Sequence, residues 1–222
     1  MNGELPVTAV IINYKTPDLL NTAVVSLRRA YPRLPLLVID NGADDESAAA
    51  IAGLAEDGVL IDRVIFNPVN LHHGPGMDQG AQEVTTPYIL FLDSDCEVLR
   101  GGFVEEMLSR LAEDPRNYAA GERVAMDRRG FDVALDTPGA IPYIRPVCML
   151  LKREIYHTLP KFQLHGTPCL ENMDEASRRG YGLIAYPALS YVSHAGRGTA
   201  ERHGYGLGFR GKLNHLLHKI GL

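Results

Sequence analysis

Eight residues decide the fold of this chain: Tyr88-Ile89-Leu90-Phe91-Leu92-Asp93-Ser94-Asp95. The first five form an unbroken apolar run, which is typical of a strand buried on both faces of a parallel sheet. Two acids follow, separated by one small residue. Ionised carboxylates at the end of a buried strand are unfavourable without a cation or hydrogen-bond donors. A divalent metal ion is the simplest partner, and carboxylate oxygens favour Mg²⁺ or Mn²⁺.

Two further apolar runs precede this segment, at Val7 to Ile12 and at Leu36 to Ile39. Between them a helical pattern begins after Thr16-Pro17-Asp18, and residues 47–56 repeat that pattern more weakly. Alternating strands and helices predict an α/β fold whose ligand crevice lies beyond the carboxyl ends of the strands. Each predicted strand ends there in polar residues, namely Asn13-Tyr14, Asp40-Asn41 and Asp93-Ser94-Asp95.

The second half of the chain has a less regular pattern. Residues 123–146 are rich in Gly, Pro and Asp, which is typical of loops and short antiparallel strands. The other expected elements are a helix over 102–112, a strand over 147–151, a helix beginning at 153–158, a helix over 171–179 ended by Gly180, and an edge strand over 184–192.

Composition limits the class of protein. The 222 residues are 45% hydrophobic and 22% charged, which is typical of one globular domain. A formal charge of -5 argues against a nucleic-acid partner. Three cysteines without a CxxC pair indicate neither a disulfide framework nor a zinc site. The sequence has no recognisable signal peptide or membrane span, so it predicts a cytoplasmic protein.

The ordered motifs resemble the family 2 glycosyltransferases and their GT-A-fold relatives. They are found at residues 7–14, 38–42, 70–74, 92–95, 148–153, 171–174 and at His194. The resemblance implies a Rossmann-like nucleotide-binding half, a mixed and mostly parallel sheet flanked by helices, and a small antiparallel acceptor-side part. It also implies metal-assisted transfer of a sugar from a UDP, GDP or dTDP sugar to a hydroxyl acceptor on a glycan, a lipid carrier or a small molecule.

The resemblance assigns the nucleoside to the first two strand ends, at Asn13, Tyr14 and Asp40. A carboxylate can accept the imide N–H of uracil or thymine, and a tyrosine ring can stack on the base. A plain turn at Asp40-Asn41-Gly42 is the alternative interpretation.

The acid pair and a distant histidine form the implied metal site. In similar enzymes Asp95 would bind the metal directly, Asp93 would contact the ribose or a metal-bound water, and Ser94 would lie against the donor. His194 matches a position where many GT-A enzymes place a histidine on the same ion. A surface histidine is the alternative.

The segment His72-His73-Gly74-Pro75-Gly76-Met77-Asp78 departs from the family pattern. Similar enzymes often carry Arg-Asn where this chain has Met77-Asp78, and so a cation facing the diphosphate is lost. The histidine pair beside Gly74 could replace it, as could the N-terminus of a helix that begins here. We therefore take His72, His73, Gly74 and Asp78 as candidate contacts of the nucleotide sugar.

The catalytic base stays open between two acids. Similar inverting enzymes use a Glu-Asp pair at a helix start, but here Glu171 is followed by Asn172, which cannot act as a base. Glu171 and Asp174 are the candidates, and their spacing places them on one helix face. Acids that suit the helix dipole are the alternative.

Inversion is the favoured outcome of transfer. A retaining transferase, a nucleotidylyltransferase and an inactive sugar-nucleotide-binding module are the competing hypotheses. The GT-A domain is expected over residues 1–198. The basic tail, 199–222, with its short amphipathic helix, is interpreted either as a solvated end or as a peripheral contact with the diphosphate or the inner face of a membrane. A homodimer is compatible with the sequence.

Overall fold

A twisted sheet of eight strands organises the protein, and its order explains which residues meet. A computed structural model describes residues 4–42, 45–56, 60–163 and 166–195. The tail from residue 199, and the roles expected of it, lie outside these residues. No helix in the described ranges is long and apolar enough to cross a membrane.

The first half of the chain alternates strands with helices as its apolar pattern predicts. Its elements are β1 (Val7–Asn13), α1 (Pro17–Ala30), β2 (Leu36–Asn41), α2 (Asp45–Ala55), β3 (Arg63–Asn67), α3 (His73–Glu83), β4 (Tyr88–Asp93), β5 (Cys96–Val98) and α4 (Phe103–Ala112).

The second half adds the antiparallel part and two short helices. Its elements are β6 (Asn117–Met126), β7 (Asp132–Val133), β8 (Ile141–Lys152), α5 (Arg153–Tyr156), α6 (Leu170–Arg178), β9 (Gly182–Ala185), a 3₁₀ turn (Ala188–Ser190) and β10 (Val192–His194).

The strands of the main sheet run in the order β3-β2-β1-β4-β8-β6-β7, and β9 pairs with β6. The four strands β3, β2, β1 and β4 are parallel to one another, whereas β8 runs antiparallel to β4 and β6. Apolar residues fill the space between the sheet and the helices on both faces. This architecture is the mixed α/β sandwich that the sequence predicts.

The expectation of loops over 123–146 is wrong in part. Much of that stretch belongs to two long strands, β6 and β8, which pair from Met126 opposite Ile141. Pro142 and Pro146 obscured the pattern, because proline usually marks turns and edges rather than strand interiors. The irregularity near Gly121 also interrupts the alternation that would have predicted a continuous strand.

The expected edge strand over 184–192 is two strands in two sheets. β9 joins the main sheet beside β6, the 3₁₀ turn follows Pro187, and β10 leaves to pair with β5. The separation has a functional consequence, because β10 carries His194 to the end of β4.

Helix α3 lies unusually close to the sheet because small residues face it. A Cβ atom on Gly80 would lie 2.6 Å from Val10 Cγ1, and one on Gly76 would lie 3.2 Å from Ile12 Cγ2. The first turn of α3 is therefore brought down to the carboxyl ends of β1 and β2.

Replacing Gly80 with alanine is expected to destabilise the protein. Overpacking typically costs about 1–3 kcal/mol, which outweighs the gain of up to about 1 kcal/mol in helix propensity. Gly53 is an exposed residue of α2, and a Cβ atom there would meet nothing within 4 Å, so Gly53→Ala should stabilise by about 0.5–1 kcal/mol. Urea unfolding measures the free energy of unfolding of both variants. A Gly80→Ala variant at least as stable as the unaltered protein would contradict the close contact.

Candidate active site

Three neighbouring strands end in polar side chains at one edge of the sheet. In register, Asn13 of β1 lies opposite Asp40 of β2, and Ile12 lies opposite Asp93 of β4. Parallel strands place their carboxyl ends at the same edge, which is where open α/β sheets bind ligands. The convergence of these three strand ends, expected from the sequence, is present in the structure.

Asn13 and Asp40 form a buried pair rather than two exposed contacts. Both side chains are fully buried, and the Asn13 amide donates to Asp40 Oδ1 at 2.8 Å. Thr16 Oγ1 donates to Asn13 Oδ1 at 3.0 Å, and the Ser47 hydroxyl lies 3.5 Å from Asp40 Oδ2. Tyr14, by contrast, is half-buried at the surface of the crevice edge. The pair therefore fixes the end of β1. Tyr14 is the next residue in the chain after this strand.

The acid cluster consists of Asp93, Asp95, His73 and His194. His194 Nε2 lies 3.1 Å from Asp95 Oδ1 and 3.8 Å from Asp93 Oδ2. His73 Nε2, from the first residue of α3, lies 3.5 Å from Asp93 Oδ1. Side-chain exposure is 24% for Asp93 and 10% for Asp95. Residues predicted from three separate motifs thus meet in one crevice.

The electrostatics of this cluster favour positive charge beside the two carboxylates. Burial raises the pKa of Asp93 and Asp95 raises it further, while His73 and His194 oppose the rise. The hydrogen bond to Asp95 raises the pKa of His194, against the effect of its partial burial. Two neighbouring carboxylates keep their charge only when cations or donors lie beside them.

A short ribbon explains how His194 reaches Asp95 across 99 positions of sequence. Strands β5 and β10 pair antiparallel, with His194 opposite Cys96 and Val192 opposite Val98. Beyond the pair, the Ala195 amide donates to the carbonyl of Asp95 at 3.0 Å. Backbone hydrogen bonds therefore hold the histidine next to the acid before any ligand is considered.

The donor atoms fit a single divalent ion. Ligand atoms of Asp95, Cys96 and His194 lie within 4.8 Å of one another. Cys96 is a poor third ligand, since burial raises the pKa of its thiol and Sγ donates to the carbonyl of Val147 at 3.5 Å. Asp95 and His194 remain as an oxygen and nitrogen pair. Carboxylate and imidazole together suit Mn²⁺ better than Mg²⁺, which prefers oxygen ligands.

An amide network, not foreseen from the sequence, fixes the loop that carries the histidine pair. The Asn41 amide donates to Asn70 Oδ1 at 3.1 Å and to the carbonyl of His72 at 3.0 Å. Asn67 and Gln79 exchange hydrogen bonds of 2.7 and 3.1 Å beside them. These amides thus tie the loop between β3 and α3 to the end of β2.

This network holds His72 in a rare conformation. Its φ of 70° lies in the left-handed region, which is unfavourable for a residue with a side chain. The Asn70 side chain accepts from the His72 amide at 2.8 Å, and so both peptide groups of His72 are fixed. Such conformations cost about 1–3 kcal/mol each, and they are concentrated at functional sites. His72 is exposed at the N-cap position of α3, while Gly74 is buried in the first turn of that helix.

Asp78 has partners away from the acid cluster. Its carboxylate accepts from Tyr156 Oη at 2.5 Å and pairs with Lys161 Nζ at 3.3 Å. The structure therefore places this candidate against α5 and the segment that follows it. No sequence pattern indicated the contact, because Tyr156 lies 78 residues away.

The two candidate bases lie on α6. Glu171 is exposed in its first turn, while Asp174 is half-buried and lies 3.6 Å from Arg178 Nε. Burial raises the pKa of Cys169, the residue before α6, and the negative charge of Asp93 raises it further. Asn172, which lies between the two acids in sequence, is buried.

Many solved structures share this fold, among them the following two. Mannosyltransferase PcManGT from Pyrobaculum calidifontis, in complex with GDP-Man and Mn²⁺, is similar with a TM-score of 0.63 and 18% identity over 84% of this chain and 56% of that one. GalNAc-T7 with UDP, GalNAc and Mn²⁺ is similar with a TM-score of 0.66 and 16% identity over 84% of this chain and 43% of that one. The chain spans about half the length of these proteins.

The sheet order and these likenesses define the GT-A class of fold, as the sequence predicts. No curated protein matches the chain in sequence. Residues 8–163 match the family described as glycosyl transferase family 2, and the chain belongs to that family. The family predicted from the motifs is confirmed.

Proposed function

We propose that the protein transfers a sugar from a nucleoside-diphosphate sugar to a hydroxyl acceptor with the help of a divalent metal. The observation that carries the proposal is the contact of His194 with Asp95 and Asp93 at the end of β4, at 3.1 and 3.8 Å. It adds a nitrogen ligand to the acid pair at the crevice where parallel sheets bind nucleotides. Membership of glycosyl transferase family 2 agrees with this chemistry.

The donor site is proposed from residues at the ends of β1, β2 and β4. Asp95 and His194 would hold Mn²⁺ or, less favourably, Mg²⁺, whose Lewis-acid charge offsets the negative charge that grows on the leaving diphosphate. Asp93 and Ser94 would contact the ribose side of the donor. Tyr14 offers its ring to the base, oriented by the buried pair of Asn13 and Asp40.

The histidine pair would serve the diphosphate. His73 lies at the N-terminus of α3, 3.5 Å from Asp93, and His72 occupies the N-cap position of the same helix. A helix N-terminus and two imidazoles favour an anion at this point. The sequence departs from the family by lacking an arginine here. The positions of the two histidines and of the helix N-terminus support the proposal that they contact the diphosphate in place of that arginine.

Inversion requires a base that faces the donor sugar from the acceptor side. We propose Glu171, which is exposed in the first turn of α6, with Asp174 as the second candidate because Arg178 already pairs with it. A base of this kind takes the proton of the acceptor hydroxyl as the new bond forms. The anomeric configuration of the product, read by NMR, tests inversion against retention.

A panel of sugar nucleotides tests the proposed function. UDP, GDP and dTDP sugars are added with Mn²⁺ while thermal unfolding is followed. A ligand at about 100 times its Kd stabilises the native state by about 2.7 kcal/mol, and so an increase in Tm of about 5–10 °C is expected. Turnover of the ligand that binds then separates an enzyme from an inactive binding module. No shift with any donor would contradict the proposal.

A further inference from the structure

The carboxylate of Asp78, a candidate from the donor motifs, is bound to α5 and to the segment that follows it. Asp78 lies on α3 with 16% of its side chain exposed. Tyr156 Oη donates to Oδ1 at 2.5 Å, and Lys161 Nζ lies 3.3 Å from Oδ2. An O–H donor to an ionised carboxylate forms one of the stronger classes of hydrogen bond.

The segment that Asp78 contacts continues to α6. Residues 157–163, here called the acceptor-side segment, follow Tyr156 directly. The Phe162 amide donates to Tyr156 Oη at 3.3 Å, so the same hydroxyl links Asp78 to the segment backbone. Phe162 is buried and packs edge-on against Phe91 of β4, with ring centroids 5.9 Å apart.

The first half of the segment is tied to α6 and to the residue that follows this helix. Asn172 Nδ2 donates to the carbonyl of Pro160 at 2.7 Å, and Arg179 Nη1 donates to the carbonyl of Thr158 at 2.9 Å. Contacts therefore run without a break from α3, through the acceptor-side segment, to the helix that carries Glu171.

Charge argues against a direct donor contact for Asp78. A diphosphate is anionic, and a carboxylate facing it would be repelled. In the structure that carboxylate accepts from a tyrosine and pairs with a lysine, neither of which belongs to the acid cluster. Asp78, which departs from the family pattern, thus makes structural contacts instead of facing the diphosphate.

We propose that Asp78 is a positioning residue that clamps the acceptor-side segment to α3 and so fixes the first turn of α6 relative to the acid cluster. The effect on Glu171 rests on the proposed function, whereas the clamp does not. Misplacement of a reacting group by about 1 Å can lower a rate by about 100-fold, so such a clamp matters to catalysis without touching the substrate.

Hydrogen exchange tests the clamp without any ligand. In Asp78→Asn and Tyr156→Phe, the Phe162 amide is expected to exchange at least about tenfold faster than in the unaltered protein. Asp78→Glu, which keeps the carboxylate, should restore part of the protection. Glu83→Gln is the matched control, since Glu83 lies on the same helix but pairs with Arg63. Unchanged exchange at Phe162 in both variants would overturn the inference.

Binding and turnover separate positioning from donor contact. UDP, GDP and dTDP, each with Mn²⁺, should bind Asp78→Asn within about twofold of the unaltered protein by calorimetry. Hydrolysis of the sugar nucleotide should show a kcat lowered by about 10- to 100-fold with an unchanged donor KM. Nucleotide binding weakened tenfold or more would assign Asp78 to the donor instead. Failure of all three nucleotides to bind the unaltered protein would count against the proposed function alone. The exchange experiment needs no ligand, and so its result would still test the clamp.

Discussion

Replacing Asp95 with asparagine is expected to lower the affinity for Mn²⁺ by at least about 100-fold. Partners that only orient metal ligands already change metal affinity by about 10- to 100-fold, and Asp95 would be a ligand itself. The amide keeps the size of the side chain but loses the negative charge that His194 contacts at 3.1 Å. Titration calorimetry with Mn²⁺ measures the change directly, and sugar-nucleotide binding should fall with it.

A matched substitution controls for charge. Asp136→Asn removes one negative charge from an exposed residue, and its Mn²⁺ affinity is expected to stay within about twofold. Unfolding in urea should show both variants folded, since Asp95 keeps 10% of its side chain exposed at the crevice. Equal Mn²⁺ affinity in Asp95→Asn and the unaltered protein would remove the metal from this site.

Introducing an acid at Asn172, where similar enzymes often have one, is expected to destabilise this protein without raising its activity. Asn172 is 1% exposed, accepts from Tyr118 Oη at 2.8 Å and donates to the carbonyl of Pro160 at 2.7 Å. A carboxylate can still accept, but its second oxygen would face that carbonyl. A buried charge without a compensating partner costs about 3–5 kcal/mol.

The loss should depend on pH in a defined direction. Burial raises the pKa of the introduced carboxyl above its unfolded value of about 3.9. The variant Asn172→Asp is therefore expected to approach the unaltered protein near pH 4, where the carboxyl is largely protonated in the folded state and about half protonated in the unfolded one. Stability then falls by up to about 1.4 kcal/mol per pH unit as pH rises toward the folded pKa.

Urea unfolding between pH 4 and pH 8 measures this slope. Asn21→Asp, on the exposed face of α1, is the control and should change stability by no more than about 0.5 kcal/mol at any pH in the range. A pH-independent loss in Asn172→Asp would show that packing rather than charge is responsible. Increased turnover in that variant would place the side chain in the crevice and contradict the structure.

The parallel half of the sheet was accessible from the sequence because burial on both faces leaves a continuous apolar run. β1, β2 and β4 show such runs, and their ends predicted the crevice. β3 was missed, since this edge strand is five residues long and only its last residue is buried. β6 and β8 were underestimated because their pairing is long-range and prolines interrupt the apolar pattern of β8.

The candidate site was predictable where it is built from the ends of parallel strands, which lie at one edge of the sheet. It was less predictable where segments outside these strands meet. Asp93, Asp95 and His194 follow from strand ends and from the family pattern. The partners of Asp78 and Asn172 do not, since neither a strand end nor the family pattern indicates Tyr156 or Tyr118. A carboxylate or an amide looks the same in sequence whether it faces a crevice or a core, and only the fold separates the two.

The β5–β10 ribbon at the end of the described chain is expected to have a lower local stability than the main sheet. Among the residues that the structure describes, three residue pairs and the hydrogen bond from Ala195 to Asp95 hold it, and it lies outside the main sheet. Segments with so few hydrogen bonds open locally at a free energy well below that of global unfolding. An ion bound by both Asp95 and His194 would link the two strands of this ribbon and stabilise their pairing. Metal concentration would then set how often the strand that carries His194 detaches, while the sheet beneath it stays folded.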